Sequence, residues 1–61
     1  MWHKIPIGEM KIGDRLGGSG KCTSIEEIGN DKVRIHFEMD GFYIFNKCEI
    51  ANIYRLYNNN Q

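Results

Sequence analysis

The chain has 61 residues, with eight Lys and Arg balanced by eight Asp and Glu, so its formal charge is zero. A chain this short forms one domain that buries roughly 60% of its unfolded surface, which permits a small core and excludes a deep enclosed active site. Neutrality also removes the field with which small nucleic-acid binders usually attract polyanions.

Residues 4–16 carry Ile5, Ile7, Met10, Ile12 and Leu16, broken by Gly8 and Gly13. That pattern predicts an irregular first strand with a bend. Gly17-Gly18-Ser19-Gly20-Lys21 follows. A phosphate-binding P-loop needs Gly five residues before the Gly-Lys pair and Ser or Thr after it, and those positions hold Arg15 and Cys22. The run therefore reads as a surface loop. Its N–H groups and flanking cations make Arg15, Gly17, Gly18, Ser19, Gly20 and Lys21 candidate contacts for an anion.

Residues 21–28 read as a second strand, ended by the turn signal Gly29-Asn30-Asp31. The clearest element is 32–39, where Val33, Ile35, Phe37 and Met39 alternate with Lys32, Arg34, His36 and Glu38, the period of a strand with one buried face. A two-residue loop at Asn30-Asp31 sets Ile28 against Val33. One extra residue at Glu26-Glu27, a β-bulge, then brings Ile25 opposite Ile35. Arg34 falls across from Glu27 or its neighbour and is expected to form an exposed ion pair.

Asp40-Gly41 tolerates the positive φ angles of a tight hairpin turn. As a two-residue loop it pairs Met39 with Phe42, Glu38 with Tyr43, Phe37 with Ile44 and His36 with Phe45. Phe42 and Ile44 then face the core. Tyr43 and Phe45 face outward beside Arg34 and His36. Residues 48–52 are expected to make one helical turn with Ile50 inward, and 53–57 a short closing strand. The domain is thus 1–57, and the polar run 58–61 is read as a frayed tail.

His3, Cys22, His36 and Cys48 stand singly, without the short spacing of a structural zinc site, and no cofactor is implied. The cysteines are expected as thiols buried in the core. A catalytic Cys-His pair needs a pocket that so small a domain does not supply, so the protein is not expected to be an enzyme. Asp14-Arg15 reads as a local ion pair or cap, and Glu26 and Glu27 as solvated. No apolar run is long enough for a membrane helix, and Met1-Trp2-His3-Lys4 lacks the apolar centre of a signal peptide. A cytoplasmic location is expected.

This order of elements resembles the SH3-like small barrels, which include the Tudor and KOW modules. The residues carrying the resemblance are Ile12-Gly13-Asp14-Arg15-Leu16, Gly20-Lys21-Cys22-Thr23-Ser24-Ile25 and Cys48-Glu49-Ile50-Ala51-Asn52-Ile53. It implies a mostly β fold: a small five-stranded barrel with one short helical turn before the last strand. The paired aromatics and acidic loop with which SH3 domains hold proline-rich peptides are missing, and only Gly20 and Lys21 match a KOW motif. Such a fold implies a binding module and names no ligand.

The leading expectation is a protein-interaction module that docks on a larger partner or on its own copy through Arg34, His36, Tyr43 and Phe45, since aromatics and Arg carry interface energy. In size it resembles the accessory and inhibitor proteins of bacteriophages, which occupy the surface of a host protein in the host cytoplasm. The alternatives are single-stranded RNA or DNA stacked on Tyr43 and Phe45, with Lys32, Arg34 and Lys47 for phosphates, and capture of a small anion such as a nucleotide by the glycine loop at an oligomer interface.

Overall fold

The computed structural model describes residues 1–55. The tail 58–61 and the end of the expected closing strand lie outside them. The described chain is mostly β, with five strands: β1 (Trp2–Pro6), β2 (Cys22–Glu27), β3 (Lys32–Phe37), β4 (Gly41–Asn46) and β5 (Ile50–Tyr54). Short 3-10 turns at Ile7–Glu9 and Gly17–Ser19 complete it. The strands form two antiparallel sheets, β1-β5 and β2-β3-β4.

The expected barrel is not closed. Among the described residues, the backbone link between the sheets is Arg15, which bridges Tyr54 on one side and Lys21 on the other. Its N–H donates to Tyr54 O (2.9 Å), and the Tyr54 N–H donates to Arg15 O (2.8 Å). Pairing cannot spread from that point, because Gly13 turns the chain with φ +102° just before it and the 3-10 turn begins at Gly17. The expected irregular first strand resolves into β1, a 3-10 turn and this single bridging residue.

β3 behaves as its alternation predicts. Val33, Ile35 and Phe37 are buried, and Ile7, Met10, Cys22 and Ile53 complete the core. Ile5, Leu16, Ile25, Phe45 and Ala51 pack against it.

Ile25 faces Ile35 as expected, but by another route. Glu27, not Ile28, faces Val33, and residues 28–31 form the turn. The irregularity sits between Cys22 and Ser24, not at Glu26-Glu27. The extra residue, Thr23, donates its hydroxyl to His36 O (3.3 Å). A bulge there reverses the side-chain phase, so Cys22 points into the core opposite Phe37 where an unbroken strand would turn it outward. Cys48, expected in the core, is exposed.

The helical turn at 48–52 is absent. Five residues give too few hydrogen bonds to offset helix nucleation, whereas the same segment finds a strand partner. β5 pairs with β1 along Trp2–Tyr54, His3–Ile53, Lys4–Asn52, Ile5–Ala51 and Pro6–Ile50. The Ile7 and Gly8 N–H groups continue the ladder to Glu49 O (2.7 Å) and Lys47 O (2.9 Å). The inward positions of β5 are Ala51 and Ile53, and Ile50 is exposed.

Candidate functional site

The decisive correction concerns β4. Its register sets Phe37 against Gly41, His36 against Phe42, Ile35 against Tyr43, Arg34 against Ile44, Val33 against Phe45 and Lys32 against Asn46. The loop therefore spans residues 38–40, and Gly41 opens the strand with φ +79°, a conformation glycine adopts without steric cost. Expected and observed registers differ by an odd number of residues, which turns every β4 side chain to the other face. Tyr43 and Phe45 lie on the face of Val33, Ile35 and Phe37, where Phe45 packs against the core and Tyr43, at its margin, stays 44% exposed. Phe42 and Ile44 lie on the outer face with Arg34 and His36.

That outer face carries Ser24 and Glu26 from β2, Arg34 and His36 from β3, and Phe42 and Ile44 from β4. Phe42 is 53% exposed and Ile44 51%. Arg34 Nη1 donates to Glu26 Oε1 (2.9 Å), and His36 Nε2 lies 3.7 Å from the same oxygen. Arg34 Cζ sits 5.4 Å from the Phe42 ring centroid, and the His36 and Phe42 rings are 5.3 Å apart. Aromatic, guanidinium and imidazole groups thus form one ordered patch. The ion pair expected for Arg34 is present with Glu26, while Glu27 pairs with Lys47 (3.2 Å).

The glycine loop is tied to the β3–β4 turn. Ser19 Oγ and Tyr43 Oη both donate to Asp40 Oδ2 (3.0 and 3.1 Å). Lys21 and Glu38 are linked by the Glu38 N–H to Lys21 O (3.0 Å) and by the Lys21 N–H to Glu38 Oε2 (3.3 Å). Gly20 turns at φ +89°, and a Cβ there would lie 3.0 Å from the Glu38 and Met39 side chains. The hydrogen bond to Asp40 and that carboxylate's charge raise the Tyr43 phenol pKa. The loop's nearest side-chain partners are thus acidic, which opposes an anion there.

A second feature is not legible from residue types. Asp14 is fully buried, and its partner is Arg55, 41 residues away, in place of its neighbour Arg15. Arg55 Nε donates to Oδ1 (2.8 Å) and Nη2 to Oδ2 (2.7 Å), a two-pronged pair. The capping half of the expectation stands, since the Lys11 N–H donates to Asp14 Oδ2 (2.8 Å). Burial alone would raise the Asp14 pKa. The hydrogen bonds from Arg55 and Lys11, with their positive charges, outweigh it and hold the carboxyl below its ordinary value.

Among the described residues, no group of three or more His, Cys, Asp or Glu side chains is placed to hold a metal ion, and no helix is long and apolar enough to cross a membrane. Comparison with known proteins finds no matching family model, no matching curated protein and no matching solved structure.

Proposed function

We propose that the chain is a protein-interaction module and that the outer face of the β2-β3-β4 sheet is its contact surface. One observation carries this reading. The inner face of the sheet covers the core, while its outer face leaves two large apolar side chains half exposed beside an ordered Arg and His. Single exposed apolar residues are ordinary, but two on one face of one strand, next to a stacked guanidinium, make the kind of anchor that interfaces use. Arg34 and His36 keep the role expected for them, and Phe42 and Ile44 take the place of Tyr43 and Phe45. On this reading the two small sheets bridged through Arg15 are an opened form of the SH3-like arrangement, a fold-level analogy that names no ligand.

The test compares the wild-type chain with a Phe42→Ser, Ile44→Thr variant, both tagged and recovered from cell extract. Polar β-compatible residues suit outward strand positions, so the variant is expected to stay folded. A protein retained by the wild type and lost by the folded variant supports the reading. Co-purifying nucleic acid that is shed steeply between about 50 and 200 mM salt overturns it in favour of a nucleic-acid binder.

A further inference from the structure

β4 lies at the edge of its sheet, and the phase of its hydrogen bonds follows from one contact. The Lys47 N–H donates to Asp31 O (2.8 Å), so the alternate pairs Val33–Phe45, Ile35–Tyr43 and Phe37–Gly41 exchange the bonds with β3. The backbone groups of Phe42 and Ile44 therefore point away from the sheet, at the same two residues whose side chains are exposed. The next outward amide, that of Asn46, is already satisfied by Glu49 Oε2 (3.2 Å). The open stretch is thus short and apolar, bounded by a carboxylate at each end: Asp40 at the turn and Glu49 at Asn46. Of the nearest lysines, Lys47 Nζ is drawn off to Glu27 of β2, while Lys32 Nζ reaches across to Asn46 Oδ1 (2.7 Å), beside Glu49.

We propose that this edge takes up an extended peptide as a further strand, and that the peptide has alternating apolar residues flanked by basic ones. The proposal rests on the interaction-module reading and names its partner. Main-chain hydrogen bonds to Phe42 and Ile44 supply the pairing, Phe42 and Ile44 supply the apolar contact, and Asp40 and Glu49 select the cationic ends. A second copy of the chain fits worse. The antiparallel arrangement that pairs Phe42 with Ile44 of a copy sets Asp40 opposite the copy's Asn46, where Glu49 and Lys32 are both bound, so a copy brings a carboxylate with each cation where a basic peptide brings the cation alone.

The experiment uses the full chain, isotope-labelled for amide hydrogen exchange, and the end-blocked synthetic peptide Lys-Val-Thr-Val-Thr-Val-Lys. The expected result is saturable binding with at least fivefold slower exchange at the Phe42 and Ile44 amides. Binding should be at least fivefold weaker with Glu in place of the two Lys and lost when alternate peptide amides are N-methylated. Equal binding of the Lys- and Glu-flanked peptides, or unchanged exchange at both amides under millimolar peptide, overturns the proposal. Protection that rises with protein concentration before any peptide is added also overturns it, in favour of self-pairing. If a protein is retained from extract through Phe42 and Ile44 while the edge amides stay unprotected, the edge proposal falls and the interaction reading stands.

Discussion

Replacing Asp14 with Asn tests a buried charge that ties the segment before the glycine loop to the residue that follows β5. The side chain is fully buried, accepts three hydrogen bonds and pairs with an Arg55 side chain that is 19% exposed. An amide offers one oxygen and one NH2 to a donor fork shaped for two oxygens, and it removes the Asp14 negative charge from beside the guanidinium. Breaking a buried pair by removing one partner costs about 3–5 kcal/mol. The lower end applies here, because Arg55 has a path to water. A domain of this length holds roughly 3–9 kcal/mol in total, so a loss of about 3 kcal/mol lowers the melting temperature by about 12–24 °C. Circular dichroism melts at neutral pH measure it.

The pH dependence supplies a sharper check. The Asp14 pKa is lower in the folded chain than in the unfolded one, where Asp titrates near about 3.9. The stabilisation is therefore fully present above that value and fades as pH falls through the lower folded value. The gap between wild type and Asp14→Asn should narrow in acid and stay constant near neutrality. A variant within about 1 kcal/mol of wild type at pH 7, or a gap that is unchanged down to pH 2, would refute the reasoning. Replacing both partners, Asp14→Leu with Arg55→Met, should recover much of the loss, because no charge is then stranded.

Phe37→Ala should cost about 3–5 kcal/mol by denaturant titration, since the ring is buried on the core face of β3. Gly20→Ala should cost about 1–3 kcal/mol from the positive φ and the contact with Glu38 and Met39, whereas the same change at Gly18, where φ is ordinary and nothing lies within 4 Å, should be nearly neutral in parallel melts. Phe45→Ser should destabilise the chain and Phe42→Ser should not, a contrast that the register requires and that denaturation curves read directly. A thiol reagent should label one cysteine per native chain, Cys48, and two in denaturant. Cys22 is buried and its thiol pKa is raised by that burial, so it presents little thiolate.

Some of this protein was fixed by local chemistry. The period-two alternation along 32–37 determined a strand and named its buried face, and the glycine-bearing clusters at 17–20, 29–31 and 40–41 marked reversals, because turn conformation depends on residues adjacent in the chain. Arg34 and His36 on the outer face were legible too, whereas the expected opposition of Ile25 and Ile35 holds through a different loop and without the bulge at Glu26-Glu27. The facing of β4 was not. Phe42, Tyr43, Ile44 and Phe45 are all apolar or aromatic, so that stretch has no alternation, and Asp40-Gly41 suits loops of two or three residues equally well. The choice was made by packing: Phe45 fits beside Val33 in the core, and the 38–40 turn meets Gly20 and Ser19. The Asp14–Arg55 pair and the conversion of 50–54 into a strand have the same origin. Each depends on partners some 40 or more residues away, and a contact across that separation is set by how the whole chain closes rather than by any neighbourhood within it.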